Sequence, residues 1–294
     1  MPFTSMDDLV SELSNGKFAR ADWNKITGAS AYAAGRWYDF SALGGTPVAN
    51  AWAGTALAWT SCNESAGNGT QIFGLPHGGN VSTDTKHLLN ASALTAVATG
   101  VPAQLMLVDM QGYYPGISMN SAVAQTLTGS PTLRYTNGVG VRPYLVITTA
   151  TGAVAHNVSI SYTDQSATAA NTPPVTVACT VSAIAGHIVH TGTAANNYGP
   201  FIPLANGDTG VQSVQTITMS AGSGVAGVAA LVLARPLLTI PLVAASIASE
   251  KDFLNATPSL PRIVDGACLT WLYFAGAAVG ASSNFYGSIE AAWG

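Results

Sequence analysis

The chain has 294 residues, 48% of them apolar and only 8% charged, and ten Lys plus Arg against fourteen Asp plus Glu leave a net charge of −4. Such a length can bury a substantial core, while a charge content about a third of the roughly 25% usual for soluble domains implies a surface of small neutral polar groups. No basic cluster is present to meet a nucleic-acid backbone, and the most apolar stretch, residues 225–243, is interrupted by Gly227, Arg235, Pro236 and Pro241, which argues against a membrane span.

Near the N-terminus Asp7 and Asp8 stand where a signal peptide would carry basic and then apolar residues, so assembly in a cytoplasm is expected. Ser5 precedes Asp8 by three positions, with Leu9, Val10 and Leu13 following, a spacing that predicts a short N-capped helix ended by Asn15-Gly16. Beyond it Trp23, Trp37, Trp52 and Trp59 lie among Gly, Ala and Asn with no clean period. We therefore expect a helix and an extended, Trp-rich docking arm over residues 1–70, poorly ordered in the isolated protein, and a β-sandwich or jelly-roll domain over residues 71–294. The four tryptophans, with Arg20, Lys25 and Arg36, are the candidate interface residues of that arm. Packing of the same aromatics back onto their own domain is the alternative.

Residues 86–97 carry Leu88, Leu89, Leu94 and Val97 at mixed helical spacing, which predicts a short helix or turn. The period then changes. Residues 104–110 and 144–149 are strand candidates, and Val158, Ile160 and Tyr162 alternate with Ser159, Ser161 and Thr163 as a half-buried strand does. Val175, Val177, Cys179 and Val181 repeat the pattern after Pro173-Pro174, followed by Gln215, Ile217 and Met219 and by residues 228–233, 269–274 and 285–293. About eight to ten short strands with turn residues between them predict an all-β sandwich or jelly roll, not alternating β-α units.

Chemistry is sparse. Asp208-Thr209-Gly210 has the sequence of an aspartic-protease loop, but Asn206-Gly207 precedes it and no second copy occurs, so a tight turn is the better reading. Pro76-His77-Gly78-Gly79 is similar to an oxyanion loop, yet no G-x-S-x-G nucleophile elbow accompanies it. His187 and His190 are expected at the surface or an interface, on opposite strand faces and without a shared metal. Cys62, Cys179 and Cys268 read as small buried hydrophobes, and the six Asn-x-Ser/Thr triplets as chance in a chain rich in those residues. A non-enzymatic protein with no cofactor and no metal is expected.

Charge ordinarily keeps soluble monomers apart. Between residues 142 and 250 the charged side chains are Asp164, Asp208 and Arg235, so this stretch can be covered on both faces without stranding an ion, as in a subunit of an assembly. Gly78-Gly-Asn-Val-Ser82 with Thr85-Lys-His-Leu88, Thr95-Ala-Val-Ala-Thr-Gly-Val-Pro102, Tyr113-Tyr-Pro-Gly-Ile117, Gly199-Pro-Phe-Ile-Pro-Leu204 with Gly207-Asp-Thr-Gly210, and Leu260-Pro-Arg-Ile-Val-Asp265 together resemble proteins encoded among the virion structural genes of tailed bacteriophages. The resemblance covers residues 70–294 and implies a particle component such as a capsid decoration, cement or minor capsid protein. The leading expectation is a homo-oligomer, a trimer, docked on a major capsid protein in the virion. Tail, neck or fibre subunits are the near alternative. A carbohydrate-binding sandwich for host recognition, with exposed Trp and Tyr stacking on sugar rings, is the alternative from another class.

Overall fold

A computed structural model of the chain describes residues 3–64, 73–190, 199–255 and 260–294. One helix, α1 (Met6–Ser14), is followed by β1 (Phe18–Ile26), β2 (Arg36–Asp39), β3 (Gly44–Thr46), β4 (Thr60–Ser61), β5 (Lys86–Thr95), β6 (Ala103–Ser118), β7 (Gln125–Thr126), β8 (Arg142–Thr149) and β9 (His156–Asp164). Then come β10 (Val177–Cys179), β11 (Ile188–Val189), β12 (Val211–Met219), β13 (Val228–Leu242), β14 (Ser249–Asp252), β15 (Arg262–Ile263), β16 (Leu269–Ala275) and β17 (Asn284–Trp293). Among the described residues no helix is long and apolar enough to cross a membrane.

The strands form three antiparallel sheets. A six-stranded sheet runs β14-β5-β17-β1-β3 with β15 also on β5, a seven-stranded central sheet runs β11-β8-β13-β6-β16-β2 with β4 on β6, and a four-stranded sheet runs β10-β9-β12-β7. The long pair β6 and β13 belongs to two sandwiches at once. Ala229, Leu231 and Leu233 of β13 pack on the four-stranded sheet through Val158, Ile160, Tyr162, Val214 and Ile217. Farther along, Leu238, Ile240 and Leu242 pack on the six-stranded sheet through Trp23, Leu88, Phe285 and Ile289. The change from odd to even positions follows from a bulge: Pro236 and Leu238 oppose the adjacent residues Val108 and Leu107, so Leu237 is extra. One extra residue resets the alternation, and both outer sheets therefore cover the same face of the central sheet. Its other face buries Ala230, Val232 and Ala234 with Trp37, Phe73, Tyr144 and Phe201.

The two prolines that interrupt the apolar stretch are accommodated here. β8 pairs with β13 only from Val228 to Ala234, so Pro236 and Pro241 fall where β13 has lost that neighbour and a missing N–H costs little.

The all-β sandwich and its short helix are as expected. Ser5 Oγ accepts the Asp8 N–H at 3.1 Å, and Leu9 packs on Leu89 and Ala292. Val158, Ile160 and Tyr162 point inward together while Ser159 and Ser161 lie half-buried. Two expectations need correction. Residues 86–95 form a strand, not a helix or turn: Glu290 and Ala291 oppose Asn90 and Leu88, so Leu89 bulges, and the Leu88-Leu89 step that imitates helical spacing is a break in strand alternation.

The first 60 residues are also not an arm. β1 lies between β17 and β3 within the six-stranded sheet, and β2 edges the central one. Ala21, Trp23 and Lys25 alternate inward against exposed Arg20, Asp22 and Ile26. Because the inward set contains a lysine, its period is invisible to a hydrophobicity pattern. Lys25 is 3% exposed, donates from Nζ to the carbonyls of Leu43 at 3.2 Å and Pro47 at 2.6 Å, and is lowered by burial, against the pull of Asp39, to a pKa of about 8. Deleting residues 1–60 should accordingly abolish the cooperative thermal transition followed by circular dichroism; a soluble remainder that still melts cooperatively would restore the arm.

Candidate functional site: an arginine-lined cleft

Where the two sandwiches part, the shared face of β6 and β13 carries Asp109 directly opposite Arg235. Asp109 is fully buried. Arg134, from the loop between β7 and β8, reaches it with Nη2 2.5 Å from Oδ1 and Nε 3.3 Å from Oδ2, and the Cys268 N–H donates to Oδ1 at 2.9 Å. Arg134 also donates to the carbonyls of Cys62 and Met110, each at 2.6 Å. Both charges are thus satisfied by protein, which is the condition for a buried pair to be tolerated.

Arg235 is placed differently. Its guanidinium lies 4.2 Å from the centroid of the Tyr135 ring, and among the described residues it makes no hydrogen bond or ion pair. It forms the floor of a cleft of about 900 Å³ whose walls are the 134–139 loop on one side and Arg262, Val264 and Asp265 on the other. Arg262 is exposed and likewise unpaired among the described residues, whereas Asp265 accepts the Val81 N–H at 3.0 Å. A second hollow of about 450 Å³ shares Tyr135, Thr136 and Asn137 with the cleft and continues along Gln212 to Gln215. The loop between them lies close on β12: a Cβ on Gly138, at φ +67°, would stand 2.2 Å from the Val211 carbonyl oxygen, so the position requires glycine.

Behind the Asp265 wall sits a buried polar cluster of Glu64, His77 and Lys86. Glu64 Oε1 accepts the N–H groups of His77 at 2.5 Å and Gly79 at 3.2 Å. His77 Nε2 lies 3.0 Å from the Ala267 carbonyl and Nδ1 2.9 Å from Lys86 Nζ, which also bonds the Gly79 carbonyl. Burial first, and then the Lys86 charge, lower the His77 pKa, consistent with a neutral ring that donates from Nε2 and accepts at Nδ1. The Pro76-His77-Gly78-Gly79 segment is therefore a brace: through Asn80 and Val81 it bonds Gly266 and Asp265 of the cleft wall.

Asp208 lies in the turn expected of it. Its N–H bonds the Ala205 carbonyl at 3.1 Å, Gly207 has φ +95°, and the Asp208 carboxylate accepts the Tyr162 hydroxyl at 2.5 Å. His187 and His190 correct the expectation of exposed rings on opposite faces. Both are buried with ring centroids 5.8 Å apart, because β11 is two residues long and its alternation ends before His190. Among the described residues no group of three or more metal-ligating side chains occurs.

The seven candidate interface residues do not share one surface. Trp23, Trp37 and Lys25 are enclosed by their own chain, Trp37 against Phe274 at 5.3 Å. Trp52 and Trp59 are half-buried, edge-on to Tyr113 at 5.1 Å and Tyr114 at 5.2 Å. Arg20 is exposed between Asp22 and Glu290, and Arg36 bonds the Thr180 hydroxyl. Sequence reasoning missed Arg134, Tyr135 and Arg262, and met Arg235 only as an isolated charge. The available signal was scarcity: three of the six arginines of the chain line one cleft.

Replacing Arg134 with Met strands the Asp109 carboxylate and should lower stability by about 3–5 kcal/mol in urea titrations, with Asp109→Asn in the same chain recovering much of the loss. His187 gives a second expectation. Burial above all, then His190 and Arg36, hold its pKa down from 6.5 to about 3. The unfolded chain takes a proton that the folded one refuses, so stability present above pH 6.5 is lost as pH falls toward 3, at no more than about 1.4 kcal/mol per pH unit. His187→Gln should flatten that slope in denaturation midpoints measured from pH 7 to about 4; an unchanged slope would place the titration elsewhere.

The chain matches no protein-family model and no curated protein. Among solved structures it is similar to the VP2 subviral particle of infectious bursal disease virus, at 11% identity over 94% of this chain and 80% of that chain, with a TM-score of 0.20. It is similar as well to a structure of the Gx strain of that virus, at 11% identity over 94% and 81% of the two chains, with a TM-score of 0.22. Likeness at this level carries no argument about function.

Proposed function

We propose that the chain is a non-enzymatic structural subunit of a virus particle that self-associates and lies against neighbouring subunits. The observation that carries this reading is the nearly uncharged end of the smaller sandwich. The four loops that follow β6, β8, β10 and β12 converge there, tied by Ser182 N–H to Gly152, Val154 N–H to Ser223 and Gly224 N–H to the Asn120 side chain. They present Val123, Val154, Val181 and Val225, each between 43% and 74% exposed. Among described residues 143–227 the charged side chains are Asp164, which is buried, and Asp208, which is bonded to Tyr162. Arg36 of β2 reaches this end as well and bonds the Thr180 hydroxyl beside Val181; exposed apolar side chains with so little charge around them favour contact over solvation.

Within this class, the resemblance of residues 70–294 to tailed-phage virion proteins favours a capsid decoration or cement protein, with a tail, neck or fibre subunit as the second reading. Mass spectrometry and electron microscopy of purified particles test this directly, since density for the chain on the capsid shell supports the first and density on the tail the second. Val123→Asp with Val225→Asp should weaken self-association at least about tenfold in sedimentation experiments while leaving the melting temperature unchanged. Absence of the chain from particles, or undiminished association of the double variant, would overturn the proposal. Asp208→Asn should leave the protein, as before, without peptide-cleaving activity.

A further inference from the structure

We propose that the cleft floored by Arg235 and edged by Arg262, with the neighbouring hollow across Thr136 and Asn137, binds an acidic oligosaccharide, with its carboxylate or sulfate group at the arginines. The chain has ten cations in all, yet two arginines with no hydrogen-bond or ion-pair partner among the described residues converge on one cleft, and the single carboxylate lining it is already bonded to the Val81 N–H. Arginines scattered for solubility have no reason to converge on a concave surface.

Arg235 is also held in place. Stacking on Tyr135 at 4.2 Å fixes the guanidinium plane, as cation–π contacts do, and leaves its N–H edges for a ligand. A fixed planar fork matches a carboxylate or sulfate bidentately at low entropic cost. Arg134 keeps the floor from closing onto it by occupying Asp109, the carboxylate that would otherwise face Arg235 across the strand pair.

The remaining lining selects a saccharide. Two hollows of about 900 and 450 Å³ lie on either side of the 134–139 loop and share Tyr135, Thr136 and Asn137 as lining, each within the range of small-molecule pockets. Beyond the arginines the lining is neutral and polar, with Thr136, Asn137 and the Gln212 side chain, whose Nε2 also donates to the Gln165 carbonyl, suited to hydroxyl groups. A nucleic acid would require cations along its whole track, whereas here they stand at one end of a chain of net charge −4.

Isothermal titration of the full chain with trigalacturonate, a heparin tetrasaccharide, 3′-sialyllactose, neutral maltotriose and inorganic sulfate tests this. At least one acidic saccharide should bind, with maltotriose and sulfate at least tenfold weaker. Arg235→Lys keeps the charge but loses the fork, and Arg262→Ala alters an exposed side chain, so neither threatens the fold; each should weaken binding about tenfold, and Gln212→Ala severalfold. Arg20→Ala, on the outer face of the other sandwich, should change nothing. No binding of any acidic saccharide, sulfate binding as tightly as the saccharide, or equal loss in Arg20→Ala would overturn the proposal. None of these outcomes bears on the particle role, which rests on the opposite end of the smaller sandwich.

Discussion

The antiparallel pairing of β6 with β13 is the constraint on which the rest depends. It runs the full length of both strands, from Val228 opposite Ser118 to Leu242 opposite Ala103, and each outer sheet packs on one half of it. The halves do not have the same neighbours: β8 extends the sheet on the Val228–Ala234 half of β13, and β16 extends it on the Ala103–Asp109 half of β6. An unbroken alternation along β13 would send the two apolar halves to opposite faces. The extra residue at Leu237 brings them to one face, and the seam between the two cores is where Asp109, Arg134 and Arg235 collect. The cleft thus follows from the bulges, at Leu237 of β13 and Gln111 of β6, between the two sandwiches.

The same seam explains how a chain so poor in charge uses what it has. Lys25, Asp39, Glu64, Lys86, Asp109 and Asp164 are all buried. Each has assigned partners: Lys25 bonds two carbonyls, Asp39 accepts Tyr144 and Ser41, Asp164 accepts Ser166, Thr168 and Asn171, and Asp109 accepts Arg134. Burial of an ion is tolerated only with such completeness, and removing one partner leaves the penalty uncompensated. The outer surface is consequently even less charged than composition indicates. That sharpens the contrast between the bland valine-bearing end and the cleft, where two guanidinium groups have no hydrogen-bond or ion-pair partner among the described residues.

Strands with a run of apolar residues on the inner face were readable from sequence, as with β9 between Val158 and Tyr162, β12, β16 and β17. Those that failed did so for identifiable reasons. β1 hides its period because Lys25 takes an inward position, and β5 because Leu89 bulges. Pro236 and Pro241 read as breaks in a strand that continues to Leu242, since nothing local reveals that β8 stops at Arg142 opposite Ala234. The division into two sandwiches was illegible for the same reason: it is encoded in register, a relation between strands. The cleft was harder still. Arg134 precedes Arg235 by 101 residues and Arg262 follows it by 27, and only the folded seam brings the three together.

Geometry along β13 also separates the two surfaces. The strand leaves the valine-bearing loops at Val228 and reaches the cleft at Arg235, seven residues later, a span of about 23 Å at strand rise. The loops at the first end are held by hydrogen bonds among themselves, and the cleft at the second by the Arg134 and His77 networks, with no side chain common to both. Changes confined to either end should act independently and additively, because the two ends lie about 23 Å apart at strand rise and share no side-chain partner.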